Sequence, residues 1–316
     1  MKVVITDYEY EDVDQEKEII EQAGFEFKTY QLKTPQELIP VLKDADAVIT
    51  QYGDINHQVI SQMEKCKVIV RYGIGYNNID VNAATENNIY VCNVPDYCID
   101  EVSNHVIMMI FSLSKKLPVF SKASTEEDFS YRKAKPIFRL AGQTLGLVGF
   151  GRIPRLVAEK MQNFSLNIIA YDPFVDSSVF EKYGVSQVSL DELLKLSDYI
   201  SLHTPLTEET YHLINHDAFL KMKSNAYIIN TSRGEIISEK DLLEALNKNL
   251  IAGAGLDVFE KEPVEPNNPL LSLPNVIVTP HSAWYSEEAK RSLQKKAALE
   301  VINVLQGNKP FNPVNK

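Results

Sequence analysis

The chain has few cysteines, a single tryptophan and no long apolar segment. Its 316 residues include only Cys66, Cys92 and Cys98, too few and too unevenly spaced for a disulfide framework or a zinc site. We therefore expect reduced cysteines that pack inside the protein, and no metal site. Met1 leads directly into a strand pattern, and no run of about 18 apolar residues occurs. These absences predict a cytoplasmic protein without a membrane span.

Basic charge is also scarce. The chain has 32 Lys and Arg residues against 43 Asp and Glu, a formal net charge of −11. Proteins that bind nucleic acids or anionic membranes use a basic face, so the composition argues against both partners. A hydrophobic fraction of 44% and the length are typical of a globular protein with about two domains. The charge and the composition therefore favour a protein that acts on small molecules over one that binds nucleic acids or membranes.

A glycine turn separates an apolar segment from a helical pattern. Residues 145–149 are apolar, Gly149 and Gly151 are spaced Gly-x-Gly, and a helix is predicted from about Arg152. Such glycines let the backbone approach a phosphate, while unpaired N–H groups at the helix start attract its charge. The turn therefore predicts a dinucleotide site. It departs from the Gly-x-Gly-x-x-Gly pattern at Pro154, which a first helical turn tolerates.

An aspartate follows the next predicted strand. Residues 167–171 have the pattern of a buried strand and lead into Asp172, about 20 residues past the glycines, where a carboxylate can bind the adenosine ribose. The next residues, Pro173 and Phe174, offer no cation for a 2′-phosphate. We therefore predict NAD rather than NADP as cofactor, although an aspartate before proline is also a common turn residue.

Short β patterns alternate with helical patterns along the chain. Five strands are predicted before residue 98 and six between residues 145 and 279, which indicates an α/β protein with two doubly wound parallel-sheet domains. The last helical pattern is not followed by a further strand pattern. We therefore expect this helix to pack on the first domain. The predicted domains are a discontinuous substrate-binding domain, 1–100 and 287–316, and a Rossmann NAD-binding domain inserted between its parts, 101–286.

Residues 115–143 form a polar segment with several aromatic residues and little periodicity. Such a segment is longer than the usual loop of a compact domain unless it packs on a partner or covers a site. We interpret it as the arm of a homodimer.

Polar residues follow four predicted strands, where ligands bind in open α/β sheets. They include Arg71, Arg233, Glu262 and His281. Hydride transfer to a 2-keto acid needs a cation for the substrate and a proton for the ketone oxygen. Arginine offers a planar fork of donors, histidine exchanges protons near neutral pH, and a carboxylate can orient the histidine ring. We therefore predict Arg233, Glu262 and His281 as the catalytic residues.

Seven segments in this order resemble the D-isomer-specific 2-hydroxyacid dehydrogenases. The resemblance spans nearly the whole chain and rests on residues 71–80, 93–95, 146–153, 203–207, 230–234, 255–263 and 280–286. It implies a flavodoxin-like substrate domain interrupted by a Rossmann domain, two hinge helices and dimerisation through the cofactor domain. It also implies an NAD-dependent exchange between a 2-keto acid and its D-2-hydroxy acid.

The resemblance gives the predicted residues their roles. By this resemblance, Arg233 is expected to bind and polarise the substrate, and Glu262 is expected to pair with the acid/base His281. The predicted cofactor-binding residues are Gly149, Gly151, Arg152, Ile153, Asp172, His203, Pro205, Thr231 and Asp257. The predicted substrate-binding residues are Arg71, Gly73, Ile74, Gly75 and Trp284.

Within the family, Arg71 and Trp284 resemble the C-terminal-binding-protein branch, whose matching residues lie beside a keto acid. A tryptophan wall suits an apolar or thioether side chain better than a phosphate. Two other functions stay open at this point. One is a 3-phosphoglycerate dehydrogenase, which needs a phosphate-binding cation cluster near Arg71. The other is an NAD(H)-sensing scaffold without turnover.

Overall fold

The structure is a computed structural model that describes residues 1–123 and 130–315. The chain forms two compact units, which we call unit 1 (Met1–Cys98 and Tyr285–Lys316) and unit 2 (Ile99–Trp284). Each unit contains a parallel β-sheet with α-helices. The predicted α/β class with two parallel sheets is therefore confirmed.

Strands and helices alternate through both units. The elements of the first 98 residues are β1 Lys2–Ile5, α1 Asp14–Gln22, β2 Glu26–Thr29, α2 Pro35–Leu42, β3 Ala47–Thr50, α3 His57–Ile60, β4 Val68–Arg71, α4 Val81–Glu86 and β5 Tyr90–Cys92. Those of unit 2 are α5 Ile99–Ser114, α6 Leu117–Ala123, β6 Thr144–Val148, α7 Arg152–Met161, β7 Asn167–Tyr171, α8 Ser177–Lys182, β8 Ser186–Gln187, α9 Leu190–Leu196, β9 Tyr199–Leu202, α10 His216–Lys221, β10 Tyr227–Asn230, α11 Glu239–Asn247, β11 Gly253–Leu256 and β12 Val276–Val278. The last helix, α12 Glu287–Leu305, belongs to unit 1.

The sheet of unit 1 has the strand order β2-β1-β3-β4-β5, and all its pairs are parallel. Helix α12 packs against α1, β3 and β4. The C-terminal tail covers the β5 edge, where the Val314 N–H donates to the carbonyl of Val91. Unit 1 therefore depends on two segments that are almost 200 residues apart in the chain.

The sheet of unit 2 has seven parallel strands in the order β12-β11-β10-β9-β6-β7-β8. Alternate residues of its central strands enter different apolar clusters: Ile200 and Ile228 belong to one, while Tyr199 and Ile229 belong to the other. Because helices cover both faces, these strands are apolar on both sides. The carboxyl ends of β6, β9, β10 and β11 are consequently neighbours at one edge of the sheet.

The structure adds to the predicted elements in two places. Strand β8 was missed, because a pair of exposed polar residues, Ser186 and Gln187, carries no hydrophobic pattern. Helix α5 ends at Ser114, and a second helix, α6, follows Lys116, which has a positive φ of 50°. Of the predicted arm, residues 124–129 lie outside the described residues. Within the described ranges, no helix is both long and apolar enough to span a membrane.

Candidate active site

The turn between β6 and α7 has the features of a phosphate-binding turn. Gly149 has a φ of +91°, and a Cβ there would lie 2.9 Å from the carbonyl group of His203. A Cβ on Gly151 would instead meet no described atom within 4 Å. Gly149 is therefore needed for the tight turn itself, whereas Gly151 leaves open space at the start of α7.

Pro154 does not break α7. It is the third residue of the helix, where a backbone N–H would have no partner within the helix. The N–H of Arg155 makes the first bond of the helix, to the carbonyl of Gly151 at 3.3 Å. The departure from the glycine pattern is thus compatible with a regular helix start.

Asp172 joins the end of β7 to the glycine turn. Its Oδ2 accepts a hydrogen bond from the Phe150 N–H at 2.8 Å, and its Oδ1 accepts one from the Phe174 N–H at 2.9 Å. Each carboxylate oxygen can accept more than one hydrogen bond, so the group can also accept from ribose hydroxyls. The side chain of Phe174 is 95% exposed.

Two buried hydroxyl groups follow the neighbouring strands β9 and β10. The Oγ1 atoms of Thr204 and Thr231 have no hydrogen-bond partner among the described residues. A buried polar atom without a partner is costly, so a polar ligand at this edge would stabilise both. Together with the open space at Gly151 and the acceptors of Asp172, these hydroxyls fit a dinucleotide. Thr231 was predicted as a cofactor residue, whereas Thr204 was missed although it lies inside one of the family motifs.

The ring of His203 bonds Ser201 of β9, and its backbone bonds the end of β6. Its Nε2 lies 2.9 Å from Ser201 Oγ, and its N–H donates to the Val148 carbonyl at 2.7 Å. Burial lowers the pKa of His203 to about 3, so the ring is neutral at neutral pH. Of the other predicted residues, Arg152 and Pro205 are exposed, and Ile153 and Trp284 are half-buried.

Glu262 and His281 form a hydrogen-bonded pair. Glu262 Oε2 lies 2.6 Å from His281 Nδ1, and Oε1 accepts from the Phe259 N–H at 3.0 Å. Burial favours the neutral acid, but the bond to His281 and the charge of Arg233 together lower the pKa of Glu262 below its ordinary value. An anionic carboxylate holds the proton on Nδ1, which leaves Nε2 to exchange a proton with a bound molecule.

Arg233 lies on a short loop after β10. The side-chain amide of Asn230 donates to the Arg233 carbonyl at 2.7 Å, and Arg233 Nη1 donates to the Ser232 carbonyl at 2.6 Å. A Cβ on the next residue, Gly234, would overlap the carbonyl group of Phe259. The loops that carry Arg233 and Glu262 therefore touch through their backbones, and only glycine permits this contact.

Asp257 anchors the turn that contains His281. Its carboxylate is 1% exposed. Oδ1 accepts from Thr279 Oγ1 at 2.5 Å and from the Ser282 N–H at 2.9 Å, and Oδ2 accepts from the Ala283 N–H at 2.9 Å. The His281 N–H donates to the Asp257 carbonyl at 2.8 Å, and His281 adopts a positive φ of 51°. Asp257 thus maintains an unfavourable backbone conformation at His281.

Arg71 lies in unit 1 at the end of β4. Its Nη1 occupies the position that a Cβ on Gly73 would need, and the φ of Gly73 is +134°. The loop is fixed by the Val94 N–H, which donates to the Gly73 carbonyl at 3.0 Å, and by Asn93 Nδ2, which donates to the Ile74 carbonyl at 2.7 Å. Arg71 Nε is buried without a partner in the described part of the chain. Gly73 is buried, whereas Ile74 and Gly75 are half-buried.

Comparison with known proteins identifies the family. The model of the D-isomer specific 2-hydroxyacid dehydrogenase NAD binding domain matches residues 107–283. A D-3-phosphoglycerate dehydrogenase of Methanocaldococcus jannaschii is 39% identical over 100% of this chain and 59% of its own length. A glyoxylate reductase of Korarchaeum cryptofilum is 37% identical over 88% of this chain and 85% of its own.

Solved structures agree. The crystal structure of D-lactate dehydrogenase from Aquifex aeolicus, complexed with NAD and lactic acid, has a TM-score of 0.91 and 30% identity, and 99% of each chain is covered. The chain spans little more than half of the phosphoglycerate dehydrogenase that it matches. Likeness to the C-terminal-binding-protein branch stays a prediction. The family predicted from the motifs is confirmed: the chain belongs to the D-isomer specific 2-hydroxyacid dehydrogenases.

Proposed function

We propose that this protein is an NAD-dependent oxidoreductase that interconverts a small 2-keto acid and its D-2-hydroxy acid. The observation that carries the proposal is the 2.6 Å contact between Glu262 and His281, on a loop that packs against the Arg233 loop. The handedness rests on the family. An NAD(H)-sensing scaffold without turnover would not need this acid/base pair.

Each catalytic residue has one task in the proposed reaction. Bound NADH supplies the hydride for reduction of the keto carbon. His281 Nε2 donates a proton to the ketone oxygen, and Glu262 stabilises the imidazolium form from which that proton comes. The guanidinium of Arg233 stabilises the negative charge that develops on the oxygen. In the opposite direction, neutral His281 accepts the hydroxyl proton.

Replacing His281 tests this assignment. His281→Ala should lower kcat by at least ~10²-fold, since general acid catalysis contributes about 10²–10⁴-fold. The dissociation constant for NADH, followed by nucleotide fluorescence, should stay nearly unchanged. His57→Ala is the matched control, because the His57 side chain is exposed at the start of α3. Unchanged turnover of His281→Ala would contradict the acid/base role.

Gly151 tests the proposed cofactor site. Gly151→Ala should preserve the thermal unfolding temperature, because the new methyl group meets no described atom within 4 Å. It should raise the dissociation constant for NADH by at least ~10-fold, about 1.4 kcal/mol, because the methyl group occupies space needed by the pyrophosphate. Gly149→Ala, in contrast, should lower the unfolding temperature. Wild-type affinity of Gly151→Ala for NADH would place the cofactor elsewhere.

The surroundings of Arg71 favour a substrate whose side chain carries no charge. Burial raises the pKa of the nearby Tyr10; Arg71 lowers it, whereas Glu16 and Asp7 raise it further. Tyr10 therefore lies near both Arg71 and the buried carboxylates of Glu16 and Asp7. One cation can bind the carboxylate that every 2-keto acid carries, whereas a phosphate dianion would be repelled by the two acids.

A substrate panel separates the two dehydrogenase functions. With NADH, kcat/KM should be at least ~10-fold higher for uncharged 2-keto acids than for phosphorylated ones, a difference of about 1.4 kcal/mol in transition-state binding. NADPH should be the poorer cofactor, because Asp172 repels a 2′-phosphate. A preference for phosphorylated substrates would identify the phosphoglycerate dehydrogenase alternative instead.

We further propose that the protein forms a homodimer through unit 2. The described parts of the arm expose Leu117, Tyr131 and Phe138 by 55% to 66%. Light scattering should give twice the mass of the chain, and the double variant Leu117→Asp/Phe138→Asp should shift it to the monomer mass. Leu220→Asp is the control, since Leu220 is equally exposed on α10. A monomeric wild type would contradict the proposal. The predicted cytoplasmic location stays a prediction.

A further inference from the structure

His105 connects helix α5 to the turn that carries His281. Its Nε2 lies 2.9 Å from Thr279 Oγ1 and 3.7 Å from Asp257 Oδ1, and its side chain is 15% exposed. Thr279 is two residues before His281. None of the sequence motifs assigned a function to His105 or to the Thr279 hydroxyl.

Helix α5 lies close to β11 at Gly255. A Cβ on Gly255 would lie 2.9 Å from Met109 Sδ, so the helix passes directly over a strand position that has no side chain. His105 is one helical turn before Met109, and Asp257 is two residues after Gly255. Gly255 therefore brings the His105 ring within reach of the strand ends.

The direction of each hydrogen bond follows from the number of available protons. Thr279 Oγ1 donates its single hydrogen to Asp257 Oδ1 at 2.5 Å. The hydroxyl can then only accept from His105, so Nε2 must carry a hydrogen. Burial lowers the pKa of His105, while Asp257 raises it, and the net direction is downward. The ring is therefore a neutral donor with its hydrogen on Nε2.

We infer that His105 is a positioning residue: its Nε2–H fixes the Thr279 hydroxyl as a donor to Asp257 and thereby holds the turn that carries His281. This inference rests on the proposed function for its catalytic consequence. Its structural part, the His105–Thr279–Asp257 chain of hydrogen bonds, does not depend on turnover.

The first test is nitrogen-15 NMR of the histidine rings in the cofactor-free protein, with His105→Gln used to assign the signal. We expect the neutral Nε2–H tautomer at pH 7 and a midpoint of titration below the ordinary value of about 6.5. Thr279→Val should change the His105 signal, whereas Thr279→Ser should restore it. A neutral Nδ1–H tautomer, or a signal unaffected by Thr279→Val, would overturn the inference even if the protein proved to have no dehydrogenase activity.

The second test is kinetic. His105→Leu should lower kcat by at least ~5-fold with little change in the KM of the keto acid, because loss of a hydrogen bond within a charged network typically has an effect of this size. His105→Gln should retain most of kcat, since its amide can donate from nearly the same position as Nε2. Asn104→Ala is the control on the same helix, because the Asn104 side chain accepts from Lys160 of α7 and donates to Asp100 of α5.

The pattern across the two variants decides the outcome. A lower kcat in His105→Leu, together with a nearly normal kcat in His105→Gln, supports the role of His105 as a positioning hydrogen-bond donor. Equal loss in both variants, or no loss in either, contradicts it. If the wild type turns over no keto acid, the proposed function fails, and the NMR result still decides whether His105 holds the Thr279 hydroxyl.

Discussion

A carboxylate buried at the end of a strand needs hydrogen-bond donors, and the turn that carries His281 provides them for Asp257. An unpaired charge at this depth would be strongly destabilising. The carboxylate accepts from the Thr279 hydroxyl and from two consecutive N–H groups, at Ser282 and Ala283. The requirement to satisfy Asp257 therefore determines the path of the chain at His281, including its positive φ of 51°.

Hydrogen bonds and close backbone contacts also fix Glu262 and Arg233, the other proposed catalytic residues. Glu262 is kept anionic by His281 and Arg233 despite its burial. The side-chain amide of Asn230 donates to the carbonyl of Arg233 and so fixes the loop that carries Arg233. The backbone contact at Gly234 packs this loop against the loop that carries Glu262. Small and polar residues at strand ends thus fix the three groups before any ligand binds, which reduces the reorganisation needed during the reaction.

Much of this arrangement could be predicted from the sequence, because its signals are local. The apolar strands, the Gly149–Gly151 turn and the polar residues after strand ends all occupy short windows with recognisable patterns. Strand β8 could not be predicted, since its two exposed residues carry no such pattern. The burial of the Thr204 hydroxyl without a partner among the described residues could not be predicted either, because burial depends on the three-dimensional packing of the chain. The contact of His105 with Thr279 joins residues 174 positions apart, so no local sequence pattern could reveal it.

The most direct test of the account is isotope transfer from NADH. Purified protein is given NADH carrying deuterium at the transferable C4 position together with an uncharged 2-keto acid, and the product is analysed by proton NMR and chiral chromatography. The account predicts deuterium at C2 of the D-2-hydroxy acid, with none lost to water. Deuterium that remains on the nucleotide under conditions in which NADH binds would contradict hydride transfer as the function of this site.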